Sequence, residues 1–594
     1  MTSFVFLSWD ETAAAAAPVY DRFRSILRTL EDKWQLLIDL PGALLAVKAG
    51  GRISSGRVAG HRVVVIGDLF ARHGGASTIP WSENRSFRNL CERLTTDCWG
   101  AYCALGIGDK GSFSIYRDPI GMEDAVSWCR PGLRVIASQP VPWLPLSDPP
   151  GLSIDWPRLA DLLLDSSTVS EACPLTGVET IPPGVAIEYG GPRRTACRLW
   201  QPGQFYGHRD TADSASLRDT VIGCVRAWSA AYPEPVVELS GGFDSALVAV
   251  TGSGIAKGVN FFTDELAGDE RRYARDVGVR AGIPVDEIHM PVGRLSMTDI
   301  EDMPVGVRPG LGSTTLFHDR LLARRAAARS GRALFTGHGG DAVFFQHPTA
   351  AIAADPTFPR ADLQSHLRLA KWTRVSAWTI ARHAFGIPPR RVRDGLSDGI
   401  APLPVSGRHQ DASMWAGDLS GLPPAKQEHI RGIAGERSAF GPSWRSHALT
   451  VVHPLLSQPL VELALATDTY LLTQGRRDRA LAREAFRDLL PPSVNDRRGK
   501  GSLGQFFGRS LAASTDFLRP FLLDGALVEH GVLDRTRLEP MLDRDFLMQY
   551  DCYGQLLSAI VMEQWARVWT DRLQAIRSGS CVQAGAASPS VPAN

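Results

Sequence analysis

Residues 236–250 read VVELSGGFDSALVAV. An apolar strand runs into Ser240-Gly241-Gly242, meets Asp244 and Ser245, and continues straight into an apolar helix. No turn needs that composition merely to reverse direction. In a doubly wound α/β sheet, ligands sit at the carboxyl ends of the strands, and this loop leaves such an end. Two glycines let backbone amides approach an anion closely, and a helix N-terminus adds roughly half a positive charge. The hydroxyls of Ser240 and Ser245 add donors. The stretch therefore reads as an oxyanion or phosphate cradle. It is neither a Walker A loop, since no lysine follows the glycines, nor a GxGxxG loop. Asp244 would repel a phosphate unless a Mg²⁺ lay between them. The bland alternative is an N-capping aspartate after a glycine turn.

A second loop of this kind is Thr336-Gly337-His338-Gly339-Gly340-Asp341, at the end of the apolar segment RALFTG, 332–337. Strand-like and helix-like segments alternate between the two loops. GVNFFT (258–263) and VDEIHM (285–290) read as strands. GDERRYARDVGVRAG (268–282) and TTLFHDRLLARRAAARSG (314–331) read as helices, the first opening on acids that suit a positive helix N-terminus. A helix over 216–231 precedes the first strand. Alternation of this kind predicts a parallel sheet with helical crossovers. Both loops then leave carboxyl ends of one sheet. Asp341 is placed to meet Asp244 across one Mg²⁺, an ion that takes one or two carboxylates plus substrate phosphates. A second glycine turn without chemistry is the alternative here.

A chain of 594 residues is too long for one core. Residues 1 to about 200 read as β-rich, with short strands in 61–70, 101–109, 112–118, 133–138 and 181–189, and a first helix over 19–33. The polar, turn-rich stretch 200–216 reads as a linker, and beyond 360 the periodicity is mainly helical. The division expected is 1–205, 206–577 and a small, polar, disordered tail, 578–594. With 64 Lys+Arg against 63 Asp+Glu, no global field favours nucleic acid or a membrane. Nine cysteines without CxxC pairs point to a reducing compartment, and Cys91, Cys98 and Cys103 read as buried free thiols. The N-terminus lacks a basic leader and no run of ~18 uncharged apolar residues occurs, so a cytoplasmic protein is expected.

These residues resemble the asparagine synthetase superfamily, whose ATP-pyrophosphatase loop is SGGxDS. Thr336 to Asp341 is similar to its second loop, Ser/Thr-Gly-x-Gly-x-Asp. HPLLSQPLVELAL (453–465) is similar to a Pro-Phe-Leu-Asp segment followed by a helix, with Ser457 replacing that Asp. RRGKGS (497–502) resembles the late basic loop that reaches the phosphates. WGAYCALGIGDKGSFSIYRDPIG and IPPG resemble the accompanying glutamine-amidotransferase domain. The fold this implies is an N-terminal class II glutamine-amidotransferase-like, Ntn-type β-sandwich. An ATP-pyrophosphatase-like doubly wound parallel sheet with a helical C-terminal part follows it. By the resemblance Leu239, Phe262, Thr336 and Gly337 lie against adenosine, and Ser240, Gly241, Gly242 and Ser245 hold pyrophosphate. Asp244 and Asp341 bind Mg²⁺, and Lys500 neutralises charge at the α-phosphate of ATP.

The chain departs from that pattern in its first half. The amidotransferase nucleophile is a cysteine at position two, and here Thr2 stands there. The glutamine-binding Asn-Gly-Glu reads Ile66-Gly67-Asp68, which removes the amide that would hold the substrate. Without glutamine hydrolysis the amine must arrive on a substrate. Position 338 is Glu in asparagine synthetases and Tyr in β-lactam synthetases. His338 titrates near neutrality and can take a proton from an attacking amine, or can equally hydrogen-bond backbone. VIGDLF, GDERRYA, GHGGDAVFF and RRGKG look most like the lasso-peptide cyclases. That resemblance implies an ATP-dependent ligase joining the N-terminal amine of a precursor core peptide to an Asp or Glu side chain. It also implies a leader peptidase and a leader-recognition protein as partners. A β-lactam synthetase, an ammonia-dependent asparagine synthetase and a non-catalytic nucleotide-binding scaffold are the rival readings.

Overall fold

Five short strands build a parallel sheet in the second half of the chain. In spatial order they are Val285–His289, Lys257–Phe262, Val236–Glu238, Ala333–Phe335 and Thr450–Val452. Val236, Val259 and Leu334 face one side, with Leu322 and Leu449. Val237, Leu239 and Phe335 face the other, against the helices Ser214–Ala231 and Phe243–Thr251. This is the period-two alternation of a sheet covered on both faces. From Val236–Glu238 the chain builds two strands to one side, then returns through Leu316–Ala327 to add Ala333–Phe335 on the other. The reversal places the ends of Val236–Glu238 and Ala333–Phe335 side by side, at the switch point where ligands of such sheets bind.

The structure is a computed structural model. It describes the chain apart from residues 1–2, 10–16, 30–32, 73–78, 80, 109–110, 131, 139–150, 166–167, 172, 191–192, 208–211, 311–315, 328–332, 388–412, 500, 502, 551 and 579–594. Thr2, Lys500 and nearly all of the tail 578–594 thus lie outside the described residues.

The first half folds as two six-stranded antiparallel sheets. One carries Val178–Thr180, Val126–Arg130, Leu133–Ala137, Phe4–Trp9, Ala43–Lys48 and Trp34–Leu40 in that order. The other carries Arg193–Arg198, Val185–Gly190, Phe113–Arg117, Cys98–Ile107, His61–Ala71 and Ile53–Val58. Phe4, Phe6, Leu45, Ile66, Cys103 and Ile115 fill the space between them. Helix Phe87–Thr96 covers the outside of the second sheet, and Ala17–Thr29 and Trp156–Leu164 the outside of the first. The fold class is the expected sandwich followed by a doubly wound parallel sheet.

The first helix is described over Ala17–Thr29, and residues 30–32 of the expected span lie outside the described residues. One expectation is corrected: the stretch from 200 is no free linker. Trp200 is buried against Trp415, at 5.4 Å between ring centroids, and donates its ring N–H to Glu462 Oε1 at 2.7 Å. An indole packs one face and still satisfies its donor, so a polar neighbourhood conceals an anchor. The C-terminal helix Tyr553–Arg577 extends this joining, since Val5, Leu7, Ile560 and Trp565 share one apolar cluster. Among the described residues no helix is long and apolar enough to cross a membrane. None of the eight described cysteines is in a disulfide, and Cys91 and Cys103 are buried and Cys98 half-buried.

Candidate active site

The loop after Val236–Glu238 is shaped by Gly241. Its φ is +73°, and a Cβ there would lie 2.6 Å from Glu270 Oε2, so only glycine fits. Gly242 then caps the helix Phe243–Thr251, which is buried on all sides. Ser240 and Ser245 face each other with their hydroxyl oxygens 3.2 Å apart, and the Ser240 N–H donates to Ser245 Oγ. The second loop leans directly on the first. A Cβ on Gly337 would stand 2.3 Å from the Ser245 nitrogen and 2.7 Å from the Asp244 carbonyl carbon. Both neighbours are backbone, so Gly337→Ala is expected to push the loops apart, at a cost of about 1–3 kcal/mol. Thermal unfolding checks this, with a lower Tm expected.

Around these loops opens a cavity of about 510 Å³, within the range of small-molecule clefts. Leu239, Ser240, Asp244, Ser245, Thr336, Gly337, His338 and Asp341 line it. Phe262 does not: Arg271 lies over its ring at 3.9 Å, and the neighbouring Phe261 lines the cavity instead. The physical reason is the pleat, which turns successive side chains to opposite faces. Gly501, in the expected basic loop, lines the cavity as well. Arg497 in that loop is paired with Glu270, its Nη2 donating to Oε1 at 2.7 Å. Ser457, where the resemblance expects an aspartate, accepts the Trp228 ring N–H at 3.0 Å and donates to the Pro454 carbonyl at 2.7 Å.

Asp244 and Asp341 converge, but on a side chain that spacing did not reveal. Arg479, 4% exposed, donates from Nε to Asp244 Oδ1 at 3.0 Å and from Nη2 to Oδ2 at 2.8 Å. The same guanidinium contacts Asp341, and it donates to Asp478 at 2.7 Å. Burial draws the Arg479 guanidinium below its ordinary value, and the Asp244 charge works against that. Two carboxylates that share one cation have the geometry to share another. No cluster of three or more potential metal-ligating residues occurs among the described residues. Mg²⁺ takes one or two protein carboxylates beside phosphate and water, and Asp244 and Asp341 are two carboxylates of that kind. When bound, such an ion would neutralise charge on the leaving phosphates.

His338 sits at the other side of the cavity. Its Nε2 lies 2.9 Å from Glu436 Oε2 and 2.9 Å from the Glu436 carbonyl oxygen. With Nε2–H donating there, Nδ1 keeps the lone pair. Burial alone would lower its pKa, but the hydrogen bond and charge of Glu436 outweigh this and raise it above the ordinary 6.5. His453 stands 5.1 Å away between ring centroids, bonds Thr336 Oγ1 through Nδ1 at 2.7 Å, and is held neutral by burial. The floor is a charged knot. Arg445 donates to Glu238 at 2.7 Å and pairs with Asp319, and His318 lies 3.4 Å from Glu238. Burial opposes ionisation of Glu238, yet Arg445 and His318 hold its carboxyl far below the usual range. None of Arg479, Glu436 or Arg445 carries a local signal. Glu436 lies 98 residues from His338 and Arg479 235 from Asp244, so only folding pairs them.

The residues where the resemblance expects a glutamine pocket are structural. Ile66 is fully buried in the sandwich core, and Asp68 accepts from Tyr232 Oη at 2.5 Å and pairs with Arg52 at 3.1 Å. Burial raises the Asp68 carboxyl above its ordinary value. The Arg117-Asp118 turn is likewise consumed. Arg117 donates to the Gly121 and Ile181 carbonyls, and Asp118 accepts the N–H groups of Gly121, Met122 and Glu123.

No curated protein matches the chain significantly. Two solved structures are similar over 66% of it. One is a glutamine phosphoribosylpyrophosphate (PRPP) amidotransferase from B. subtilis complexed with ADP and GMP, at 9% identity over 94% of that chain, with a TM-score of 0.21. The other is the allosteric regulatory enzyme of purine biosynthesis, at 11% identity over 87% of that chain, with a TM-score of 0.20. At those scores neither adds to the architecture described above. The family model for asparagine synthase matches residues 216–428 and 442–567, more than half of the chain and both loops at the switch point. The chain belongs to the asparagine synthase family, whose activity is ATP-dependent amide formation.

Proposed function

We propose that this ligase closes a ring on a precursor core peptide, as a lasso-peptide macrolactam synthetase. The observation that carries the reading is the His338–Glu436 pair beside the cavity. It supplies a proton acceptor for an amine that the substrate itself brings. Ser240, Gly241, Gly242 and Ser245 hold the pyrophosphate of ATP, and Leu239, Thr336 and Gly337 border the adenosine. Asp244 and Asp341 would hold Mg²⁺, and Lys500 would neutralise charge at the α-phosphate. An Asp or Glu side chain of the peptide attacks that phosphate, giving an acyl-adenylate and pyrophosphate. The peptide's N-terminal amine loses its proton to His338, attacks the acyl carbon and displaces AMP. A peptide α-amine has a pKa of about 7.7–8.0, so a base with a raised histidine pKa is well matched to it. Holding both ends on one site supplies up to ~7–11 kcal/mol of the barrier.

Ile66 in the sandwich core and Asp68 tied to Tyr232 and Arg52 support a domain without glutaminase activity. A leader peptidase and a leader-recognition protein would deliver the peptide, in the cytoplasm and without nucleic acid or membrane. The test is product mass. Incubation with ATP, Mg²⁺ and a leader-free peptide bearing an acidic residue near its N-terminus should give a product lighter by one water, with one AMP per ring. Nitrogen transfer from labelled glutamine, or asparagine formed from aspartate and free ammonia, would overturn the reading. A ring formed only from a small β-amino acid would assign a β-lactam synthetase instead.

A further inference from the structure

A sandwich relieved of glutamine chemistry is still tied to the cavity, through one residue. Arg437 is fully buried. Its Nε donates to the Ile120 carbonyl at 2.8 Å and its Nη1 to Glu171 Oε1 at 2.8 Å, and both acceptors belong to the first half of the chain. Its guanidinium lies 4.9 Å from the Trp415 ring centre. Trp415 is held by the same elements, its ring N–H donating to the Pro119 carbonyl at 2.8 Å and its backbone N–H to Glu171 Oε2 at 3.0 Å. Ser413 Oγ donates to Glu171 Oε1 at 2.6 Å. One buried carboxylate thus collects three donors from the second half of the chain.

Arg437 follows Glu436 directly, at the point where helix Pro424–Glu436 gives way to the 3₁₀ turn Arg437–Phe440. Among the described residues the Glu436 carboxylate has one partner, His338. Its position therefore depends on the backbone, and the backbone there depends on Arg437. We propose that the N-terminal domain is a brace for the proton acceptor: Glu171 and the Ile120 carbonyl hold Arg437, and Arg437 holds Glu436 against His338. Arg437 and Glu171 are positioning residues, because neither lines the cavity. The idea rests on the base assignment of the proposed function. It deepens that assignment by giving the first domain a part in ring closure. The charged and titratable groups facing His338 are Glu436 and His453, with Glu238 further off, and the brace touches only Glu436. A buried ion pair that loses its charge match lets the attached chain relax, so the effect should reach Glu436 without altering the ATP loops.

The test uses Glu171→Gln and Arg437→Lys in the full chain. ATP–pyrophosphate exchange reports adenylation, single-turnover ring closure reports the second step, and NMR follows the His338 imidazole with pH, assigned by its absence in His338→Gln. Exchange should stay within about twofold, while ring closure slows roughly 10–100-fold, part of what general-base catalysis supplies. The His338 midpoint should fall toward 6.5 in both variants. An unmoved His338 midpoint in a folded variant overturns the brace, as does a parallel loss of exchange and ring closure. Should Arg437→Lys fail to fold, Glu171→Gln decides alone, since glutamine keeps the shape and most of the hydrogen bonds. The NMR titration needs no substrate, so the brace is judged even if the activity proves not to be ring closure.

Discussion

Asp244→Asn should remove ATP–pyrophosphate exchange by roughly 10²–10³-fold, the size of effect seen when one preorganised electrostatic group is lost from a reacting phosphate or oxyanion. The amide keeps the shape of the carboxylate and the bond to one Arg479 nitrogen, but no longer supplies charge to a divalent ion. The same change weakens the folded state, because Arg479 is 4% exposed and loses its bidentate partner. A lone buried pair broken on one side costs about 3–5 kcal/mol. Asp341 and Asp478 still face this guanidinium, so about 1–3 kcal/mol is expected. Urea denaturation measures the stability and labelled-pyrophosphate exchange the chemistry. Asp341→Asn separates them: its side chain is 43% exposed, so exchange should fall with little change in stability. Exchange that survives Asp244→Asn within about tenfold removes this carboxylate from the nucleotide site.

His338→Gln should leave adenylation nearly intact and slow ring closure by roughly 10²–10⁴-fold. The sign of its pH dependence follows from the raised pKa. Glu436 favours the protonated imidazole, so the acceptor form is lost below that raised value and ring closure climbs as the pH passes upward through it, above 6.5. In His338→Gln this limb should vanish, leaving only the titration of the attacking amine. Glu436→Gln should move the limb down rather than erase it, because a neutral partner still accepts from Nε2 but no longer stabilises the cation. Stability runs the other way. A histidine whose folded pKa is raised contributes stability that is fully present below its unfolded value and is lost as the pH rises through the folded one. A limb that persists unchanged in His338→Gln sinks the base assignment.

Much of the architecture is legible in local pattern because its causes are local. The alternation of VVELS, GVNFFT, VDEIHM and RALFTG with helices required a parallel sheet, and Val236–Glu238, Lys257–Phe262, Val285–His289 and Ala333–Phe335 are its strands. The fifth, Thr450–Val452, is three residues long and lies 115 residues beyond Phe335. It lies in a region of mainly helical periodicity, outside the strand–helix alternation, and pairing with Ala333–Phe335 makes it a strand. The resemblance places Phe262 against adenosine, whereas the pleat of Lys257–Phe262 turns Phe261 into the cavity.

What the sequence determined by itself is the pair of glycine loops and their acids. Gly241 is required by a backbone conformation, Gly337 by the close approach of two chains, and both demands act on single residues in short motifs. Only the tertiary structure decided what surrounds them. It put Arg479 between Asp244 and Asp341, Glu436 behind His338, and Arg437 in the grip of Glu171. Each of those pairs joins residues 98 to 266 positions apart, or is set by a neighbour that is. A buried charge needs a partner, but electrostatics acts through space, so nothing along the chain says which residue will provide it.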